Sequence, residues 1–192
     1  MPQSPFPFLS GSLALDFVNT EIPARRGLVD LLKAPGDFTR WWAEAQDAHP
    51  DFLHSSPHQI SFDDNAIRDL KALRADLRRG FDALAQDPKQ LADVLNRALA
   101  SIHPRIEVST SGELTLQYVP SSSFNAISHQ IVLSAMDLIG RGGLPRVHAC
   151  SSFDCNLFFC DLTKSGTRKW CSTRCFDRAR AKERRTGAGV RR

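Results

Sequence analysis

Residues 150–175 read CSSFDCNLFFCDLTKSGTRKWCSTRC, and the cysteine spacing in that stretch decides the architecture of the carboxyl end. Cys150 and Cys155 enclose four residues, Cys171 and Cys175 enclose three, and fifteen residues separate the two pairs. This C-x4-C-x15-C-x3-C pattern is close to the zinc-ribbon spacing, in which each local pair supplies two corners of a tetrahedron. Four thiolates suit one Zn2+ at Zn–S distances of about 2.3 Å. A site closed by four sulfurs keeps no open coordination position, so the metal is expected to be structural rather than catalytic. An iron–sulfur cluster, two disulfides, a set of buried free thiols, or His148 in place of one thiolate remain as alternatives from the residues alone. The fifth cysteine, Cys160, lies in Leu157-Phe158-Phe159-Cys160-Asp161, a buried-strand pattern in which it acts as a small hydrophobe. The large apolar residues of the carboxyl end are few: Phe153, Leu157, Phe158, Phe159, Leu162, Trp170 and Phe176. A module this short rarely builds a sufficient core without a metal or a cross-link.

Beyond Cys175 the chain runs FDRARAKERR, without proline or glycine until Gly187. As a helix it carries Arg174, Arg178, Lys182 and Arg185 on one side, with Arg180 and Arg184 nearby. Arg168 and Lys169 precede it. Residues 146–192 hold 12 Lys+Arg against 4 Asp+Glu, whereas the other 145 residues hold 13 against 17, within a net charge of +4. A mildly acidic body joined to a strongly basic end predicts a polyanion partner for that end. Arginine suits bidentate contact with phosphate or guanine edges. DNA is the expected partner, with RNA as the alternative.

The body, 1–145, is expected to be mainly α with one β-hairpin, in an α+β chain whose carboxyl end is a small treble-clef or ribbon-like finger. Leu28, Leu31 and Leu32 suggest a short helical stripe over 27–33, stopped by Pro35. Asp37 can cap a helix with Phe38, Trp41, Trp42 and Ala45 at i, i+3, i+4, i+7. Residues 46–60 have no period and predict a loop, with His49, His54 and His58 solvated. Ser61 and Asp64 resemble a capping signal. The helix they open carries Ile67, Leu70, Leu73, Leu77, Phe81 and Leu84, and a charged face of Arg68, Lys71, Arg74, Arg78 and Arg79 expected in solvent. Asp87-Pro88 starts a helix burying Leu91, Val94, Leu95, Ala98 and Ile102. Period 2 over Ile106, Val108, Leu114, Leu116 and Tyr118, broken by Ser111-Gly112, predicts the hairpin. Ser121 to Ser123 can cap a last helix with Phe124, Ile127, Ile131, Ala135 and Leu138, ended by Gly140-Arg-Gly-Gly. Most of these apolar residues are expected in the core.

Hydrophobic residues make up 42% and charged residues 24% of 192, which excludes a disordered chain, a collagen and a coiled-coil rod. No apolar run reaches the ~18 residues of a membrane span, and the first residues lack a secretory pattern, so a cytoplasmic protein with reduced thiols and no membrane partner is expected. Neither a nucleophile elbow, a phosphate-cradling glycine loop nor H-E-x-x-H is present, and no enzyme is expected. In Leu13-Ala-Leu-Asp-Phe-Val-Asn-Thr20, Asp16 and Asn19 sit within an apolar run. They either cap neighbouring backbone or line a ligand pocket.

Arg146-Val-His-Ala-Cys150, Asp154-Cys155, Leu157-Phe158-Phe159 and Trp170-Cys171-Ser172 together resemble the CGNR zinc finger. The body resembles the ABATE domain that precedes that finger, in Leu13 to Thr20, the Trp41-Trp42 helix and the arginine-rich helix near 67–84. The namesake Cys-Gly-Asn-Arg stands here as Cys175-Phe176-Asp177-Arg178. The resemblance implies a stress-related transcription regulator whose finger binds DNA. Three function classes follow. One is a zinc-dependent DNA-binding regulator whose body senses a small-molecule effector or forms a homodimer. Another is a zinc module for RNA or an acidic protein. The weakest is an enzyme using a pocket around Asp16 and Asn19.

Overall fold

A computed structural model describes residues 4–24, 27–50, 62–118 and 123–186, with the side chains of 115–118, Ser123 and Thr186 outside the description. Six α-helices and three two-stranded antiparallel sheets make up the described residues. Helix α1 (Leu13–Val18) is buried along its whole length. It runs through the centre of the body because every residue but Asp16 is apolar.

Strands β1 (Glu21–Ala24) and β2 (Gly27–Asp30) pair with Glu21 opposite Asp30 and Ile22 opposite Val29. The helical stripe expected over 27–33 is therefore absent. The run between Gly27 and Pro35 is too short to nucleate a helix, and an antiparallel partner lies just upstream. Leu28 stays 57% exposed, while Leu32 is fully buried. Helix α2 (Pro35–Ala48) begins two residues before Asp37, with proline in its first turn. The Asp37 carboxylate accepts from the N–H groups of Lys33 and Ala34, both at 2.9 Å. Phe38, Trp41, Trp42 and Ala45 face the core as expected. The helix runs on to Ala48, into the stretch expected as loop; the rest of that stretch, with His54, His58 and Ser61, lies outside the described residues.

Helix α3 (Asp64–Ala83) is capped by Asp63, whose Oδ1 accepts from Ala66 N–H at 2.7 Å. Ile67, Leu70, Leu77 and Phe81 form its buried stripe. Helix α4 (Pro88–Leu99) lies close against it at Gly80, where a Cβ would come within 2.9 Å of Leu91 Cα. Strands β3 (Pro104–Val108) and β4 (Leu114–Tyr118) form the expected hairpin, with Ile106 opposite Leu116. It projects from the body: Ile106, Val108 and Leu114 are 70%, 67% and 76% exposed, so these three are not core. Period 2 correctly marked strands, but among the described residues no neighbouring element covers Ile106, Val108 and Leu114. Helix α5 (Ser123–Gly140) buries Ile127, Ile131, Ala135 and Leu138. Its expected cap at Ser121 to Ser123 lies outside the description. Gly142, at φ +64°, turns the chain, and Gly143 N–H reaches Leu138 C=O at 2.7 Å.

The carboxyl end follows as β5 (Val147–Ala149), β6 (Phe158–Cys160) and α6 (Thr173–Thr186). It is locked into the body. Phe158 and Cys160 belong to the same buried cluster as α1 and α3. The Asn19 side chain donates to Phe158 C=O and accepts from Phe158 N–H, each at 2.8 Å. Cys160 N–H donates to Ser10 C=O at 3.0 Å. None of the described helices is long and apolar enough to cross a membrane.

Candidate metal centre and basic helix

Strands β5 and β6 pair Val147 with Cys160 and Ala149 with Phe158, and the turn between them carries the first cysteine pair. Cys150 N–H donates to Leu157 C=O at 2.9 Å and Cys155 N–H to Ser152 C=O at 3.0 Å, which folds the turn into a tight knuckle. Ser151 N–H donates to Lys169 C=O at 2.8 Å and brings the returning chain alongside. Cys171 then precedes α6, and Cys175 sits in its first turn.

The four sulfurs lie within 4.8 Å of one another. Cys155 and Cys171 are 3.7 Å apart, and Cys171 and Cys175 are 3.5 Å apart. A tetrahedron with arms of about 2.3 Å has edges of about 3.8 Å. The donor set therefore fits one Zn2+ held by Cys150, Cys155, Cys171 and Cys175. All five cysteines are free of disulfides. His148 lies outside the cluster, beside the Phe159 ring at 5.8 Å. Cys160 lies on β6, 5% exposed and facing the body.

Electrostatics inside the cluster ask for a cation. The hydrogen bond from Cys171 holds the Cys155 thiol down to about 5, against burial that raises it. Cys171 is pushed upward by that same bond and then by burial. Cys150 is pushed upward, first by burial. Sulfurs this close cannot all ionise unless a divalent ion offsets their charge. Leu157, Phe159 and Trp170 pack around them and limit water access.

Two of the arginines expected to face nucleic acid are engaged inside the finger. Arg178 Nη2 donates to Cys175 Sγ at 3.0 Å, and its Nη1 meets Asp154 Oδ2 at 3.0 Å. One guanidinium thus bridges the knuckle and the helix that carry the two cysteine pairs. Arg168 donates to the carbonyls of Trp170 and Cys171 and lies over the Phe159 ring at 4.6 Å. Its own N–H donates to Asp161 Oδ2 at 2.8 Å. Lys169, Arg174, Arg180, Lys182, Arg184 and Arg185 are exposed. Arg180 and Lys182 lie over the rings of Phe176 and Phe153, at 5.4 and 3.8 Å. Phe176, where the family's namesake motif has glycine, packs edge-on against Trp170 at 5.0 Å. Phe153 and Leu162 are not finger core: they are 64% and 75% exposed.

Asp16 and Asn19 are both buried but do not share a pocket. Asp16 Oδ1 accepts from Leu9 N–H at 3.1 Å and Ser10 N–H at 3.0 Å. Its Oδ2 meets His49 Nε2 at 3.0 Å, so His49 has the carboxylate partner that the sequence did not supply. This pair borders an open cleft of about 540 Å³ with Phe8, Ser12, Ser134 and Arg141. Asn19 is spent on Phe158. The charged face of α3 also departs from expectation: Arg74 is 2% exposed and not solvated. It bonds Thr20 Oγ1 and Asp30 Oδ1, both at 2.8 Å, and Glu21 at 3.2 Å. Arg78 donates to Val18 C=O at 2.8 Å and Asn156 C=O at 3.0 Å, joining body and finger. The signal for Arg74 was present, since it stands four after Leu70 and three before Leu77 on the apolar stripe.

A comparison with curated proteins finds no match. The CGNR zinc finger matches residues 146–186. The ABATE family, described as "Putative stress-induced transcription regulator", matches residues 11–142. With that family matched over more than half of its length, the chain belongs to the ABATE family and carries a CGNR zinc finger after the ABATE region.

Proposed function

We propose that the protein is a zinc-dependent DNA-binding regulator, in which 146–192 forms the nucleic-acid-binding finger and 1–145 a regulatory body. The observation that carries this reading is the basic helix anchored at a four-sulfur site. Cys171 and Cys175 fix where α6 starts, and Arg174, Arg180, Lys182, Arg184 and Arg185 are exposed along it, with Lys169 just before it. Zinc orients the helix; the cations supply the contact. Most of those contacts fall on phosphate and position the finger without reading sequence. Arg168 and Arg178 serve the finger's own structure in this reading. The family descriptions name a regulator and a zinc finger rather than an enzyme. Asp16 borders the open cleft of the body and holds Ser10, whose carbonyl bonds Cys160 of the finger, so a ligand there has a short route to the finger.

Fluorescence anisotropy of zinc-loaded protein on labelled duplex DNA, titrated with salt, tests the reading. Six phosphate contacts give a log–log slope of about −5 through counterion release. A flat titration, or no binding at low salt, overturns it. Preference for RNA over DNA of the same sequence would transfer the reading to an RNA module.

A further inference from the structure

The β3–β4 hairpin stands away from the body with its edges open. All five residues of β3 are exposed, Ile106 and Val108 to 70% and 67%, and Leu114 on β4 to 76%. Neither edge has a further strand beside it among the described residues. A lone two-stranded ribbon is at best marginally stable in water, and an exposed apolar edge is a template for another strand. The ladder shows which backbone groups are on offer. Ser109 N–H donates to Glu113 C=O at 2.8 Å, which fixes the alternation. Glu107 and Arg105 turn their N–H and C=O groups to β4, while Ile106 and Val108 turn theirs outward to the open edge. Arg105 and Glu107 flank Ile106 on the other face of the strand and form an ion pair at 3.8 Å.

We propose that a second copy of this chain docks on the open edge of β3, strand against strand and antiparallel, about a two-fold axis at Ile106. In this register Ile106 N–H donates to the C=O of the partner's Ile106, and the reverse. Val108 N–H donates to the C=O of the partner's Pro104, and the reverse. Pro104 has no N–H to give, and at the start of an edge strand that loses little. Arg105 falls opposite the partner's Glu107, and Glu107 opposite the partner's Arg105, so the strand is charge-complementary to itself. The two Ile106 side chains lie side by side across the axis, with Val108 beside the partner's Pro104. Backbone and charge together select this register. Sliding one strand by two residues keeps the outward groups facing each other. It sets Arg105 against the partner's Arg105 in one direction, and Glu107 against the partner's Glu107 in the other. The edge of β4 has no such selector, because Leu114 to Tyr118 hold no charged residue. A contact between two short strands is small, so the dimer is weak and reversible. The contact is isologous, so association through this edge stops at the dimer. The proposal is independent of the nucleic-acid reading.

Sedimentation equilibrium of the full, zinc-loaded chain, run from micromolar to near-millimolar concentration, is the test, with circular dichroism to show that each variant is folded. Wild type is expected to move from 21.4 kDa towards twice that mass. Arg105→Glu and Glu107→Arg each set like charges opposite one another at both crossings and are expected to weaken the dimer by about 5- to 100-fold. Mixed in equal amounts, the two variants again face Glu with Arg and are expected to associate as tightly as wild type. The double variant Arg105→Glu/Glu107→Arg is expected to dimerise by itself. Ile106→Pro removes the outward N–H without touching a bond to β4 and is expected to abolish the dimer. A wild type that keeps the mass of one chain throughout overturns the proposal. A dimer that the charge variants or Ile106→Pro leave intact overturns the β3 edge as its contact. A mixture no more associated than its components overturns the register.

Discussion

The body and the finger are ordered by different forces. The body buries α1 on all sides and stacks Trp41, Trp42, Phe17 and Phe38 into one apolar cluster, which the hydrophobic effect stabilises without help. The finger buries Leu157 and Phe159 around four sulfurs, too little apolar surface to fold 47 residues. Its order depends on a metal. The two regions nevertheless share Phe158 and Cys160, which reach back into the body's cluster. The comparison teaches that the metal-dependent part is wedged into the metal-independent part, so loss of zinc has to be felt in both.

Removing zinc is the largest perturbation. Zinc sites of this kind contribute on the order of 10–16 kcal/mol of apparent binding free energy, expressed as folding. Cys171→Ser, or chelation of the wild type, is expected to abolish the order of residues 146–186 while α1 to α5 stay folded. The body's thermal midpoint should still fall, because Phe158 and the Asn19 bonds leave with β6. Circular dichroism and amide exchange read both regions. An unchanged body midpoint would break the wedge.

Arg74→Leu comes next. It takes one cation from Asp30 and from Glu21, which keep Lys71 and Arg78 respectively, and breaks the bond to Thr20, at a cost of about 2 kcal/mol. Urea denaturation of the zinc-loaded chain measures it, and the finger's zinc affinity should not change. Asn19→Ala orphans the N–H and C=O of Phe158 between the regions, about 2 kcal/mol. A double-mutant cycle with Arg78→Met, which also crosses between the two, is expected to show coupling.

Arg178→Ala acts on the finger alone. Without the guanidinium on Cys175 and the bridge to Asp154, zinc affinity should drop by about 10- to 100-fold, as for other residues that orient metal ligands. Competition with a chromogenic chelator measures the change. A loss of DNA affinity with zinc binding intact would instead make Arg178 a nucleic-acid contact.

The smallest effect is electrostatic and belongs to the body. Burial acts to raise the Asp30 carboxyl, but hydrogen bonds from Arg74, Lys71 and Leu32 N–H hold it down to about 2 from an ordinary 3.8. A depressed carboxyl contributes stability that is present above the unfolded value and is lost as the pH falls through the folded one. Asp30→Asn should therefore flatten the acid limb between those two values, by about 1 kcal/mol after solvent screening. An unchanged limb would show that Arg74 is held by Glu21 and Thr20 instead.

How much was legible follows the same division. Cysteine spacing is a local code, and the four ligands of the finger were readable because metal geometry allows few arrangements. Helix periods were equally readable in α3, α4 and α5, where one face is buried over several turns. Long-range pairing left no such trace. The β1–β2 hairpin depends on Ile22 meeting Val29, and Leu28 and Leu31 imitate a helix only while that partner is unknown. Arg74 looked like surface charge because an arginine is usually solvated, yet its place on the apolar stripe of α3 already put it inside. Arg168 and Arg178 looked like DNA contacts because they are basic; only folding shows their guanidiniums turned toward Cys171 and Cys175. Phe153 counted among the few large apolar residues of the carboxyl end, and the knuckle turns it outward.

Zinc K-edge X-ray absorption on purified chain, with metal stoichiometry measured on the same sample, tests the central claim most directly. The account predicts one zinc per chain with four sulfur neighbours at about 2.3 Å. Sulfur neighbours replaced by nitrogen or oxygen, or a folded finger without metal, would contradict it.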